Sequence, residues 1–258
     1  MSENNDRMAW IKGGSALCAV TPSTSNRAPR LVMLGPPGVG KGTQAELLCH
    51  KLGACHLSTG DIFRAAKTIP KEQRTPSLES ALTFMAHGDL VPDTTVLGIV
   101  AERLRCLRCG GGFLLDGFPR TIAQATALAQ LLKKEGVSLT AVINYDLPID
   151  KVVERLAGRR TCGGCKAVFH VTTRPPAVEG ICDHCGAKLL QREDDRPESI
   201  RIRMEAYEQS TKPLIDFYRK CGLLISIAAT GSPEDICART LAALKTQASP
   251  AKDPLLCR

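Results

Sequence analysis

The chain has 258 residues, of which 43% are hydrophobic and 23% charged, and this composition excludes a disulfide-stabilised miniprotein, a collagenous protein and a disordered one. No apolar run approaches the roughly 20 residues that cross a membrane, and residues 16–20 are shorter than the apolar region of a signal peptide. We therefore expect an intracellular, cytoplasmic protein without a membrane partner. The 34 Lys and Arg against 26 Asp and Glu give a formal charge of +8, which favours an anionic partner.

Residues 1–29 are polar and irregular, with no sustained helical or alternating pattern. We interpret them as a disordered N-terminal extension. A transit peptide to an organelle is the alternative, although Glu3 and Asp6 weigh against it. Trp10, the only tryptophan, lies in this extension, so we expect its indole to be exposed. Because the strand that feeds the glycine-rich loop starts only at residue 30, we expect deletion of residues 1–28 to leave catalysis largely unchanged.

From residue 30 onward, short apolar runs alternate with helical patterns, which is typical of a mostly parallel sheet covered by helices on both faces. The predicted strands are 30–34, 113–115, 141–145 and 223–227, and the predicted helices are 44–52, 94–105, 121–135 and 151–159. Two inserts interrupt this α/β pattern. The first, 59–92, is predicted to be helical, and the second, 158–195, is rich in Cys, Gly and Pro.

A glycine-rich loop, GPPGVGKGT at residues 35–43, lies between the first predicted strand and its helix. Its glycines let backbone N–H groups turn toward phosphate oxygens, and the helix N-terminus adds positive potential. This P-loop departs from the general pattern, because Gly42 follows the lysine where Ser or Thr is usual. The predicted phosphate-binding residues are Gly38, Val39, Gly40, Lys41, Gly42 and Thr43.

Three segments together resemble nucleoside monophosphate kinases, and adenylate kinases most closely. They are GKGTQ at 40–44, LSTGD at 57–61 with Arg64, and FLLDGFPRT at 113–121 with Gln124. The resemblance implies reversible, Mg²⁺-dependent phosphoryl transfer, ATP + AMP = 2 ADP, by a monomer that serves adenine nucleotide homeostasis.

The resemblance also implies a division of the chain. It places a P-loop core at 30–58, 93–157 and 196–247, an AMP-binding insert at 59–92, a mobile lid at 158–195 and a C-terminal tail at 248–258.

Phosphoryl transfer needs alignment and positive charge around the transferring group, so several cations should surround the site. The resemblance implies that Lys41, Arg120, Arg155, Arg159, Arg192 and Arg203 are catalytic. Arg155 and Arg159 are also implied to bind ATP. Guanidinium groups can engage two phosphate oxygens at once. The implied AMP-binding residues are Thr59, Arg64, Leu90, Val91, Gly117, Arg120, Gln124, Arg192 and Arg203.

Three carboxylates and one amide receive specific roles from the resemblance. Asp116 ends an apolar strand and is implied to hold Mg²⁺ through water, with capping of the following helix as the alternative. Gln124 is implied to read the adenine edge, and Asp194 and Asp195 to anchor the lid. The segment near the donor base, AATG at 228–231, departs from the usual Asp-Gly-Thr. A kinase of the same fold that uses GTP as donor, or another monophosphate as acceptor, stays the alternative.

The second insert carries two Cys-x-x-Cys pairs, Cys162 with Cys165 and Cys182 with Cys185, separated by 16 residues. This spacing is typical of tetrahedral zinc, and four thiolates leave no open position, so we predict a structural Zn²⁺. His170 and His184 are spare ligand candidates. A non-catalytic zinc-containing nucleic-acid binder is the rival interpretation, but the insert lacks dense basic and aromatic residues, so no nucleic-acid partner is expected.

Overall fold

The computed structural model describes residues 10–11, 28–66, 68–87, 91–165 and 167–246. The predicted C-terminal tail and most of the predicted N-terminal extension lie outside these residues. No helix among the described residues combines the length and the apolar character needed to cross a membrane.

A five-stranded parallel sheet forms the centre of the fold. Its strands are β1 Arg30–Leu34, β2 Cys55–Ser58, β3 Phe113–Asp116, β4 Ala141–Asp146 and β8 Leu224–Ala228. They lie in the order β2-β3-β1-β4-β8. The α/β fold class and four of these strands confirm the sequence prediction. The edge strand β2 was missed, because its four residues alternate too briefly to stand out from the insert that follows.

Helices cover both faces of the sheet. The helices are α1 Lys41–Leu52, α2 Thr59–Ala66, α3 Pro76–His87, α4 Asp93–Ala101, α5 Leu104–Leu107, α6 Ile122–Lys134, α7 Ile149–Ala157, α8 Pro197–Ala206, α9 Pro213–Lys220 and α10 Pro233–Thr246. Alternate side chains of β1 enter opposite cores: Leu31 and Met33 join one buried cluster, whereas Val32 and Leu34 join the other. This two-sided burial explains why β1 is a continuous apolar run.

The first insert follows the carboxyl end of β2, and the second follows α7. The first contains α2, a 3-10 turn at Lys71–Gln73 and α3. The second is a small antiparallel sheet, β6-β5-β7, built from β5 Arg159–Cys162, β6 Val168–His170 and β7 Leu189–Leu190. Arg159 therefore begins a strand, whereas the sequence placed it at the end of the preceding helix.

The predicted helix 94–105 is interrupted after α4. The backbone turns at Glu102 and Arg103 before the short α5, and the Arg103 side chain is fully buried. Its Nε donates to the carbonyl oxygen of Trp10 at 2.5 Å, so the interruption coincides with a contact to the N-terminal segment.

The expectation that Trp10 is exposed is wrong. Its side chain is fully buried, and its indole Nε1 donates to the carbonyl oxygen of Ser58 at 3.0 Å. These contacts join residues far apart in sequence, so the polar, aperiodic sequence around Trp10 gave no sign of them. Deletion of residues 1–28 would remove these contacts, and its effect on catalysis stays a prediction for kinetics to test.

Candidate active site

The P-loop bends sharply between β1 and α1, and its glycines are required by that path. Gly38 has φ +79°, and a Cβ there would lie 2.5 Å from Cγ of Leu156. Gly40 has φ +103° and precedes the first turn of α1. The Lys41 ammonium folds back over the loop, where Nζ donates to the carbonyl oxygens of Gly35 at 2.7 Å and Pro36 at 2.9 Å.

One large cleft, of about 2390 Å³, opens beside the P-loop and extends to both inserts. Every nucleotide-site residue predicted within the described part of the chain lines this cleft. Leu90 alone lies outside the described residues. The position agrees with the general rule that ligands of open parallel sheets bind at the carboxyl ends of the strands.

The cleft lowers the pKa of Lys41 from the ordinary 10.5 to about 8. Desolvation is the largest cause, and the positive charges of Arg120, Arg203 and Arg159 add to it, while Asp116 opposes it. Around Lys41 the site thus concentrates more positive charge than the Asp116 carboxylate balances. An anionic phosphate would relieve this imbalance.

Asp116 ends β3 at the base of the cleft, beside a histidine that the sequence analysis missed. Burial opposes ionisation of Asp116, but the His56 imidazole with the charges of Lys41 and Arg120 holds the pKa of Asp116 below its usual value. The His56 Nε2 lies 3.6 Å from Asp116 Oδ2. His56 reaches Asp116 because β2 pairs in parallel with β3, which places Ser58 beside Asp116. Without this pairing, nothing in the sequence indicated that His56 belongs to the site.

Asp116 does not cap the following helix, which was the alternative role. Thr121 takes that role at the start of α6, where its Oγ1 accepts from the backbone N–H of Gln124 at 3.1 Å. The Asp116 carboxylate is therefore available to the cleft.

Backbone carbonyls orient two of the predicted arginines. Arg155 donates from Nη1 to the Val39 carbonyl at 3.1 Å and from Nη2 to the Ala229 carbonyl at 2.9 Å, which ties the P-loop to the segment after β8. Arg120 donates from Nε to the Gly117 carbonyl at 2.8 Å. Desolvation lowers the pKa of both guanidinium groups.

Asp195 organises two further arginines at the base of the lid. Its buried carboxylate accepts from Nε of Arg159 at 2.7 Å and from Nη2 of the same residue, a bidentate pair. Arg203 Nη1 lies 3.5 Å from the same carboxylate and 3.0 Å from Oδ2 of Asp194. The carboxylates that the resemblance assigned as lid anchors thus hold cations that line the cleft.

Arg192 completes the cationic wall on the lid side. Its Nε donates to Thr161 Oγ1 at 2.8 Å. Desolvation, with repulsion from Arg159 and Arg64, lowers its pKa to about 10.

Gln124 is buried, and both ends of its side-chain amide have partners within the protein. Oε1 accepts from the backbone N–H of Arg120 at 2.8 Å, and Nε2 donates to Asp93 Oδ1 at 2.6 Å. Asp93 also accepts from Thr121 Oγ1 at 2.7 Å. The sequence analysis did not identify Asp93, whose contact with Gln124 spans 31 positions.

The four lid cysteines converge. All four sulfur atoms lie within 4.8 Å of one another, with Cys162 Sγ 3.4 Å from Cys185 Sγ and Cys165 Sγ 3.5 Å from Cys182 Sγ. Tetrahedral thiolates around a zinc ion lie about 3.8 Å apart, so the cluster could hold one metal ion. Neither His170 nor His184 belongs to it within the described part of the chain.

A family model described as adenylate kinase matches residues 33–223. The chain belongs to the adenylate kinase family. An adenylate kinase of Streptomyces griseus is 48% identical over 217 residues, which are 84% of this chain and 97% of that protein. An adenylate kinase of Carboxydothermus hydrogenoformans is 48% identical over 216 residues, 84% of this chain and 99% of that protein. An adenylate kinase of Thermodesulfovibrio yellowstonii is 49% identical over 207 residues, which are 80% of this chain and 94% of that protein.

These findings confirm the predicted family, fold class and enzyme class. The chain is an adenylate kinase, which is a nucleoside monophosphate kinase and hence a phosphotransferase. They decide against the rival interpretation as a non-catalytic zinc protein.

Proposed function

We propose that this adenylate kinase transfers the terminal phosphoryl group of ATP to AMP, reversibly and with Mg²⁺, to give two ADP. The convergence of Lys41 with five arginines around one cleft carries this proposal. A transferring phosphoryl group carries negative charge that its surroundings must stabilise, and fixed cations in a desolvated cleft do this with little reorganisation.

ATP is proposed to bind with its phosphates on the P-loop. The P-loop residues and Lys41 line the cleft, and Arg155 is already held beside them by the carbonyls of Val39 and Ala229, which supports this placement. AMP is proposed to bind toward the first insert, where Thr59, Arg64 and Val91 line the cleft. The transferring group would then lie between the two nucleotides, within reach of Arg120, Arg159, Arg192 and Arg203.

Asp116 is the residue proposed to hold Mg²⁺ through water. Its carboxylate is kept ionised in a buried setting, and such a hard oxygen donor suits Mg²⁺. When bound with ATP, the ion would neutralise charge on the phosphate oxygens.

The division into a P-loop core and two mobile inserts is part of the proposal. Closing the inserts over the cleft would exclude water and so limit hydrolysis of ATP. Asp195 is buried where the lid joins the core, and its carboxylate binds Arg159. This contact supports a lid that carries its arginines with it when it closes.

The four-cysteine cluster is proposed to bind a structural Zn²⁺. Within the described part of the lid, the core consists of four buried apolar side chains, Cys162, Phe169, Cys182 and Leu189, two of which belong to the cluster. So small a core needs another source of stability, and a bound metal provides it.

The test of the proposed reaction measures ADP formation with ATP or GTP as donor and AMP, GMP, CMP or UMP as acceptor. We expect ATP with AMP to be the best pair. Lys41→Ala and Arg120→Ala should each lower kcat on the order of 10²-fold or more while the circular dichroism spectrum is unchanged. Lys151→Ala removes an exposed cation that pairs with neighbouring Glu154 and does not line the cleft, and it serves as the matched control.

Near-normal turnover in either folded cleft variant would contradict the assigned roles. A better rate with GTP, or with another acceptor, would keep the enzyme class and change the substrate. The cytoplasmic location, the monomeric state and the absence of nucleic-acid and membrane partners stay predictions of the sequence.

A further inference from the structure

Trp10 and Ile11, here called the N-terminal anchor, contact the residue just before the AMP-binding insert and a residue just after α4, the helix that follows the insert. Trp10 Nε1 donates to the carbonyl oxygen of Ser58, the last residue before the insert begins at Thr59. Arg103, just after the helix that leaves the insert, donates from Nε to the Trp10 carbonyl and from Nη2 to the Ile11 carbonyl at 3.1 Å. The anchor therefore bridges the strand that enters the insert and the helix that leaves it.

Arg103 is a buried charge whose acceptors come largely from the anchor. Its side chain is fully buried, and outside the anchor it contacts the Ile99 carbonyl at 2.7 Å and the Glu102 carboxylate at 3.6 Å. A buried guanidinium is costly when its donors lack partners. Because two of its three hydrogen-bond acceptors lie in the anchor, this position suits an arginine only when the anchor is docked.

The indole itself is part of the core rather than a surface contact. Trp10 belongs to the same buried cluster as Leu57 of β2 and Ile62 of α2, and its ring centre lies 5.9 Å from the Arg103 guanidinium carbon. Ile11 packs against this cluster and also lines the nucleotide cleft. The anchor thus links packing beneath the insert with the wall of the cleft.

We propose that the N-terminal anchor positions the acceptor site, by holding the AMP-binding insert in the orientation that presents Thr59 and Arg64 to the acceptor. Trp10 is a positioning residue in this scheme, because it acts through Ser58 and Arg103 and does not line the cleft. The proposal rests on the proposed assignment of residues 59–92 to AMP. It predicts that loss of the anchor weakens AMP binding and spares the ATP site on the P-loop.

The experiment uses the full-length enzyme and the variants Trp10→Phe and Trp10→Ala. Initial rates are measured with AMP varied at saturating ATP, and with ATP varied at saturating AMP. Trp10→Ala should raise KM for AMP about tenfold, because small misplacements of binding groups are costly, while kcat and KM for ATP change less than about twofold. Trp10→Phe keeps an aromatic ring but lacks the Nε1 donor, so its KM for AMP should lie between that of the unmodified enzyme and that of Trp10→Ala.

Leu132→Ala is the matched control for a loss of stability alone. Leu132 is buried in the same cluster, on the last turns of α6, and does not line the cleft. It should lower the melting temperature and leave both KM values unchanged. An equal rise of both KM values in Trp10→Ala, or no rise in KM for AMP, would overturn the positioning role.

Docking itself is tested without catalysis, which separates it from the proposed function. As the only tryptophan, Trp10 should emit at short wavelength and resist quenching by acrylamide in the unmodified enzyme. A solvent-like emission would overturn the anchor, whatever the activity. A double-mutant cycle adds a second readout: Trp10→Ala should lower the melting temperature less in the Arg103→Met background, because the buried charge that needs the anchor is gone.

Discussion

The lowered pKa of Lys41 predicts that nucleotide binding weakens as the pH rises above about 8. A shift from 10.5 to about 8 means that the protein disfavours the charged ammonium by about 3 kcal/mol. Phosphate oxygens beside the ammonium would restore the charged form, so the pKa must rise when ATP binds. In the free enzyme the Lys41 ammonium is charged below about pH 8 and loses its proton above that pH. At higher pH, ATP binding must therefore be accompanied by uptake of a proton by Lys41.

The size of the effect follows from the titration. With a pKa of about 8, the Lys41 ammonium is roughly nine-tenths charged at pH 7 and roughly one-tenth charged at pH 9. The affinity for ATP should therefore fall about tenfold between pH 7 and pH 9, and binding at pH 9 should take up nearly one proton. The phosphates of ATP are fully ionised in the upper half of this range and do not obscure the change.

The assay is isothermal titration calorimetry with ATP in the absence of AMP, at pH 7, 8 and 9, in two buffers that differ in ionisation enthalpy. The difference between the buffers gives the number of protons taken up. Lys41→Arg is the control, because a guanidinium stays charged throughout this range and should remove the pH dependence. An affinity that is flat from pH 7 to 9, without proton uptake by the unmodified enzyme, would refute the reasoning.

Two further predictions concern the lid and the acceptor base. Metal analysis of protein purified without chelator should find one Zn²⁺ per chain, and protein without zinc would contradict the site. Cys162→Ser should lower the melting temperature of the lid, and at low temperature it should reduce activity less than Lys41→Ala does. AMP should exceed GMP in kcat/KM by a wide margin, and Gln124→Ala should narrow that margin mainly by weakening AMP, as initial rates with the two acceptors would measure.

The local motifs could be predicted from the sequence because their chemistry lies in neighbouring residues. The P-loop needs its glycines and lysine within nine positions, and the lid needs two short cysteine loops. A buried parallel strand such as β1 also carries its own signal, because both of its faces are apolar.

The contacts that escaped prediction join residues far apart in the chain. Trp10 meets Ser58 across 48 positions and Arg103 across 93, and His56 reaches Asp116 only because β2 pairs with β3. No periodicity in a single segment reports such pairings. Arg103 did interrupt a helical pattern, but a charged residue inside such a pattern is ordinarily a solvated one.

The hydrogen-bond partners of Gln124 favour adenine over guanine as the base of the acceptor. A glutamine amide has two N–H donors and two lone pairs on its oxygen, and the structure uses one of each, with Asp93 and with the Arg120 backbone. One donor and one lone pair therefore remain for a base. The two partners also fix which end is oxygen, because a flipped amide would set Nε2 against an N–H and Oε1 against a carboxylate.

A guanine edge reverses the donor and acceptor of adenine, so reading it would require that flip and the loss of two internal hydrogen bonds. Each buried group left unpaired costs about 1–3 kcal/mol, which adds to the mismatch with the base itself. Asp93→Asn should lower this barrier, because an asparagine side chain can donate to Oε1 as well as accept from Nε2. The ratio of kcat/KM for AMP to that for GMP should then fall mainly through a gain with GMP, opposite to Gln124→Ala. A ratio that is unchanged in Asp93→Asn would show that the orientation of the amide does not set the choice of base.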